Sequence, residues 1–230
     1  MPNWAFNQMY VTGPLADRDR FVDDMLTIET TDAGVATFYR IVDAVLPMPA
    51  GLKNSESPVP DSPDPHPNWA VMLANGDMTQ EWYDELVASN HNRYNAAQHN
   101  IKEYGFASWY DWACTQWGTK WGDCETEVEH TADATNIRYE TAWGPFSETF
   151  FETLAMKYPT LTFIHCGTEE SNDYVFVAGY HNTSRHFRSS SVPDIDIEDY
   201  EDRYDRINEW ECNWIDTNMS EVEQELGVSA

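Results

Sequence analysis

The chain has 230 residues, with 40 acids against 13 bases and a net charge of −27. That balance excludes a nucleic-acid binder working through Lys and Arg on phosphate, and a protein that docks on anionic membranes. Its 41% hydrophobic and 14% aromatic content excludes a disordered chain and leaves a basic protein as the expected partner.

Residues 3–12 place Trp4, Phe6 and Tyr10 at alternate positions, the pattern of a half-buried first strand. Gly13-Pro14 breaks it, and Leu15, Phe21, Val22, Met25 and Leu26 then recur at helical spacing, predicting an amphipathic helix over 14–27. Residues 35–46 are apolar enough for a second strand, with a helical turn as the alternative. Residues 47–68 hold seven of the twelve prolines and no apolar period, so a loop or tether without core is expected.

A helical insertion over 78–117 follows. Asp77 with Gln80 resembles a capping box ahead of Trp82, Leu86 and Val87. Tyr94, Ala97, Ile101 and Tyr104 form a second helical face that Gly105 is placed to end, and Ser108 with Asp111 opens a third helix through Trp109, Trp112 and Ala113.

Thr126, Val128 and His130 alternate with acids, a turn over Thr131 to Thr135 follows, and Ile137, Tyr139 and Thr141 continue in period 2, predicting a hairpin over 124–142. A helix from Pro145 presents Phe150, Phe151, Leu154, Ala155 and Tyr158 on one face and is closed by Pro159. Strands are expected over 160–167 and 173–181, so the body, residues 1–183, ends near Thr183. From Ser191 onward 13 acids face only Arg203 and Arg206. Residues 184–230 therefore read as an acidic appendage anchored by Trp210, Trp214 and Ile215, with Ser220 and Glu223 capping a last short helix.

The order of elements predicts an α+β fold, a ferredoxin-like split βαβ sandwich with a helical insertion. Met1-Pro2-Asn3-Trp4, Val11-Thr12-Gly13-Pro14, Leu46-Pro47-Met48-Pro49, Trp117-Gly118-Thr119-Lys120-Trp121, Thr141-Ala142-Trp143-Gly144-Pro145 and Tyr158-Pro159-Thr160-Leu161-Thr162-Phe163 resemble the YubB-like ferredoxin-like family of phage and plasmid proteins. The resemblance runs from residue 1 to about residue 182, and the Trp-Gly-Thr-Lys-Trp word is its most specific part. Gly144 stands where that family often reads serine. The resemblance implies a fold and a mobile-element origin, and it brings no catalytic residues.

Candidate sites are few. Trp112, Trp117, Trp121 and Trp143 with Lys120 could form an aromatic box for a base or cation, against a tryptophan-rich core around a glycine turn with Lys120 snorkelling. Gly118-Thr119-Lys120 lacks the spacing of a phosphate loop. His99 and Glu103 share a helical face, but His91 is turned away and no third metal ligand is evident, so no metal or cofactor is expected. The acidic run Asp194, Asp196, Glu198, Asp199, Glu201 and Asp202 mismatches a calcium loop at its glycine and final-glutamate positions and reads as a charged binding surface. Cys114 or Cys166 would need a histidine, His165 or His130, brought beside it to act as a nucleophile. Arg185, His186 and Arg188 form a basic cluster too small for more than a weak anion contact.

The four cysteines form no Cys-x-x-Cys pair, so reduced thiols are expected. The N-terminus lacks a basic region followed by an apolar run, and no stretch of about 18 apolar residues exists. A cytoplasmic location is expected, with the virion as an alternative. Three functions fit. The first is a mobile-element accessory protein that engages a basic host or phage protein, such as a host defence factor that it inhibits, through a nucleic-acid-mimicking acidic surface. The second is an acidic, halophilic-type structural or virion-associated protein, and the third is a hydrolase using unrecognised carboxylates.

Overall fold

A computed structural model describes residues 3–31, 34–171, 173–193 and 200–227. The chain divides into two compact units, Met1–Pro47 with Gln116–Ala230, and Met48–Thr115.

The first unit is α+β. Its sheet has six strands in the order β4-β5-β1-β6-β7-β8, every neighbouring pair antiparallel. The central strand is β1 (Trp4–Thr12), flanked by β5 (Thr135–Ala142) and β6 (Thr162–Glu169). The outer strands are β4 (Cys124–His130), β7 (Tyr174–His181) and β8 (Ser184–Ser191). The expected boundary at Thr183 falls in the turn between β7 and β8, which pair from Tyr174↔Ser191 to His181↔Ser184.

One face of this sheet carries α1 (Leu15–Met25) and α7 (Glu148–Lys157). Helix α1 buries Arg18, Phe21 and Met25 at intervals of three and four, and α7 buries Phe150, Phe151, Leu154 and Ala155. Ser147 is the N-cap of α7, its hydroxyl accepting from Phe150 N, so Pro145 precedes the helix instead of starting it. Beneath lie Ala5, Met9 and Val11 of β1, Ile137 of β5 and Phe163 of β6, all fully buried. The buried phase of β1 is therefore the odd-numbered one. Trp4, Phe6 and Tyr10, whose alternation marks the strand, lie on the other face.

That other face carries α8 (Tyr200–Leu226), chiefly over β7, with β6 and β8 to either side. Val222 is buried against Ile164, Cys166 and Val177, with Tyr10, Trp214, Ile215, Met219 and Leu226 packed around them. Gly179 makes this approach feasible: a Cβ there would lie 2.3 Å from Val222 Cγ1 and 2.7 Å from Leu226 Cδ1. Ser220 does not cap a separate helix, because its hydroxyl donates back to Asp216 O at 3.1 Å and α8 runs on unbroken.

Between α1 and α7 in sequence lie two elements that hydrophobic period does not separate. Strands β2 (Leu26–Thr31) and β3 (Gly34–Tyr39) form a two-stranded ribbon. Helix α2 (Ile41–Val45) then ends the stretch read as a single strand over 35–46. Buried Asp123 caps α2 from a distant part of the chain, Oδ2 accepting from Ile41 N at 2.9 Å and Oδ1 from Val42 N at 3.1 Å.

The second unit contains α3 (Ala50–Lys53), α4 (Pro67–Asn75), α5 (Gln80–Tyr104) and most of α6 (Trp109–Gln116). The proline-rich segment is not free of core, since Met48 and Leu52 are buried. It is held by polar contacts that leave no apolar period: Asn90 donates to Ser62 O and Asp64 O, and Arg93 pairs with Glu56. The two helices expected over Trp82–Val87 and Tyr94–Tyr104 are one, capped by Thr79 and ended by Gly105 at φ 80°. As expected, Ser108 and Asp111 hydrogen-bond at the start of α6. Among the described residues, no helix is long and apolar enough to cross a membrane.

Candidate functional site

Beside α8, the second face of the sheet leaves Phe6 of β1, Glu127 of β4 and Arg138 of β5 exposed. A groove of about 430 Å³ lies there, with Ile215 of α8 as one wall. Its floor carries Phe6, 47% exposed, and Gln8, whose amide donates to Asn136 Oδ1 at 3.0 Å. Around this floor stand Glu125 and Glu127 of β4 and Glu140 of β5, with one guanidinium, that of exposed Arg138, among them.

The local sequence accounts for the placement. In β4, Glu125, Glu127 and Glu129 are the exposed positions, and Thr126 and Val128 the half-buried ones, so Glu127 and Glu129 share a face about 6.6–6.8 Å apart. A register shift between Cys124 and Glu127 marks a bulge, and Glu125 within it has φ 48°. A non-glycine residue in that left-handed region costs on the order of 1 kcal/mol, and bulges of this kind re-aim side chains at sheet edges. The acidic alternation in β4 was the sequence signal for this groove. What the sequence does not mark is which strands α8 covers.

The expected acidic surface on the appendage is only partly placed. Asp194, Asp196, Glu198 and Asp199 lie outside the described residues. Glu201 and Asp202 fall in the first turn of α8, where the negative charge of Asp202 complements the helix dipole.

The tryptophan set is divided between the two units. Trp112 belongs to the second unit, whereas Trp117, Lys120, Trp121 and Trp143 belong to the first. Trp117 is buried and donates from Nε1 to Leu46 O at 2.9 Å. Trp121 is at the surface, with Lys120 Nζ 4.4 Å from its ring centroid and Trp4 at 5.8 Å, and Trp143 is exposed. The Gly118 turn, at φ 80°, packs where a Cβ would lie 2.7 Å from Ser147 N.

The thiol and metal candidates are not assembled. Cys166 and His165 are neighbours on β6 and so face opposite sides of the sheet. Burial under α8 pushes the Cys166 thiol up to about 12. His130 is engaged with Thr135 and Asp19. His99, Glu103 and His91 are exposed on α5, and no group of three or more metal-ligating side chains occurs among the described residues. The basic cluster is neutralised: Arg185 pairs with Glu148 and Glu152, and His186 and Arg188 with Glu225. The last two pairs tie β8 to α8.

No family model matches the chain, and no curated protein matches it. Among solved structures it is similar to a protein api92 from Yersinia pseudotuberculosis, of family DUF1281, at 10% identity and a TM-score of 0.42, over 86% of this chain and 100% of that one. A similarity of this size identifies neither a family nor an activity.

Proposed function

We propose that the chain is an accessory binding protein that engages a cationic segment of a partner protein through the acidic groove beside α8. One observation carries the reading: Glu125, Glu127 and Glu140 ring a floor that exposes Phe6, so charge and apolar contact are offered together. Charge of this kind speeds association and selects the partner, while the apolar floor supplies affinity. A cluster of carboxylates also suits a partner that ordinarily meets phosphate, which makes a nucleic-acid-handling protein the favoured class. The finer fold assignment, a ferredoxin-like split βαβ sandwich, is supported by the order β4-β5-β1-β6 with α1 and α7 on one face. The phage or plasmid origin, in the YubB-like family, is supported by the sequence words alone.

The test compares two charge-neutralised variants of the full chain. One carries Glu125→Gln, Glu127→Gln and Glu140→Gln, and the other Glu81→Gln, Asp84→Asn and Glu85→Gln on α5. Binding of a fluorescent arginine-rich peptide is followed by stopped flow at low and high salt. The groove variant should associate at least tenfold more slowly, with the α5 variant near wild type and both effects fading as salt rises. Equal effects of the two variants would instead favour a charge that serves solubility in high salt.

A further inference from the structure

Two indoles stand at the head of the acidic groove. Trp4 comes two residues before Phe6 on β1, so it lies on the same face of the sheet, about 6.6–6.8 Å further along the strand. The ring of Trp121 is 5.8 Å from that of Trp4, centroid to centroid, with the two planes inclined at 32°. Trp121 is 36% exposed. Phe6, Trp4 and Trp121 therefore extend the groove's apolar floor into an aromatic shelf. The backbone beneath the shelf is fixed. Trp4 N donates to the Glu170 carboxylate at 2.7 Å and Trp4 O accepts from Glu170 N at 2.8 Å, while Trp121 O accepts from Arg40 Nη2 at 3.1 Å.

Carboxylates gather at the same end. Glu140 is opposite Phe6 on one side and opposite Cys124 on the other. Burial raises the Cys124 thiol against the nearby Arg40 guanidinium, and Asp123, Glu140 and Glu125 add to the rise. Glu140 and Glu125 thus converge on the first residue of β4, three positions after Trp121. The chain's own cation is already on the shelf, with Lys120 Nζ 4.4 Å from the centroid of the Trp121 ring. Among the described residues neither that ammonium nor Glu125 or Glu140 makes an ion pair. The ring face and the carboxylates both attract positive charge, and Lys120 engages only the ring.

We propose that this shelf is a subsite for one arginine side chain of the partner, its guanidinium flat on Trp121 and Trp4 in the place of Lys120, its N–H edge turned to Glu140 and Glu125. The inference rests on the groove being the binding surface and adds the residue that it selects. A guanidinium is planar and weakly hydrated, so it stacks on an indole and forks to a carboxylate at the same time. The ammonium of lysine is compact and strongly hydrated and does only one of these. Two indoles side by side at 32° make a shelf and not the enclosing cage that suits a methylated ammonium. Lys120 is then an internal competitor, and removing it frees the ring face.

The test measures binding of nona-arginine and nona-lysine, equal in length and charge, to the full chain by calorimetry at physiological salt. The wild-type chain should bind nona-arginine about fivefold more tightly, the size of a stacked guanidinium at an exposed site. Trp121→Ala should bring the two affinities to within about twofold by weakening nona-arginine alone. Lys120→Met removes only a surface ammonium and tests the subsite independently. It should tighten nona-arginine about threefold relative to Lys102→Met, which removes the same charge from exposed α5. Equal wild-type affinities, an arginine preference that survives Trp121→Ala, or a Lys120→Met chain that binds no better than Lys102→Met would each overturn the subsite. The variant with Glu125→Gln, Glu127→Gln and Glu140→Gln separates the two readings. If it weakens both peptides while the wild-type chain shows no arginine preference, the groove stands and the subsite falls. Unchanged binding of both peptides to it refutes the groove and the subsite together.

Discussion

A chain ending at Pro193 keeps β8 and loses α8. Of the five apolar side chains that α8 brings to the sheet, Val222 is fully buried, and Trp214, Ile215, Met219 and Leu226 are partly so. Full burial of such a side chain stabilises by about 1.5–3 kcal/mol, so the gross contribution is about 6 kcal/mol, an upper figure because unfolded chains already hide some surface. Ordering the helix opposes it, and the net loss is on the order of 3 kcal/mol, a large share of the roughly 5–15 kcal/mol that holds a domain together. The shortened chain should unfold at a clearly lower urea concentration and bind a hydrophobic dye over exposed Ile164, Cys166 and Val177. Cys166, whose thiol is shielded in the full chain, should then become alkylated at a rate nearer that of exposed Cys212. A chain ending at Thr183 also strips β7 of its partner and should aggregate, because a long apolar strand becomes a bare edge. An unchanged urea midpoint for the chain ending at Pro193, with Cys166 still protected, would show that α8 contributes nothing to the sheet.

Three further outcomes follow from single positions. Gly179→Ala should destabilise the first unit by about 1–3 kcal/mol in urea unfolding, since the added methyl meets Val222 and Leu226 and α8 must shift. Asp123→Ala should speed amide exchange at Ile41 and Val42 and cost about 2–4 kcal/mol, with Asp123→Asn intermediate because it keeps one acceptor oxygen. His165 binds a proton more readily unfolded than folded, so its contribution is fully present above about pH 6.5 and falls by about 1.4 kcal/mol per unit between there and its folded value of about 3. Replacing it by Gln should therefore flatten the acid limb of a stability-against-pH curve, and an unaltered slope would show that the imidazole is not buried neutral.

The elements that could be read in the sequence are those whose pattern is decided locally. Strand β1, the β4–β5 hairpin, α7, β6 and β7 each show period 2 or helical spacing between clear breaks, and Gly105 and Ser108 mark ends that the backbone uses. Strand β2 was missed because it follows α1 without a break, Met25 ending one and Leu26 starting the other. Strand β8 was missed because Phe187 is its one large apolar side chain, and its two arginines are held in ion pairs with α7 and α8. The acidic row of β4 was visible as alternation. The buried contact of His165 with Asn7 and Tyr139 was not, since it depends on residues arriving from two other strands.

The position of β1 bears on how the chain reaches this state. Asn7 finds Tyr139 132 residues later and His165 158 residues later, so β1 is synthesised well before either of its two neighbours. Loop closure over such distances is slow, and every contact of the central ladder waits for it. While synthesis proceeds, the alternate aromatic residues of β1 are unpaired for most of the chain's length, and a strand in that condition is prone to wrong pairing. The strong like charge that follows it, through self-repulsion, is a means of keeping nascent copies apart during that wait.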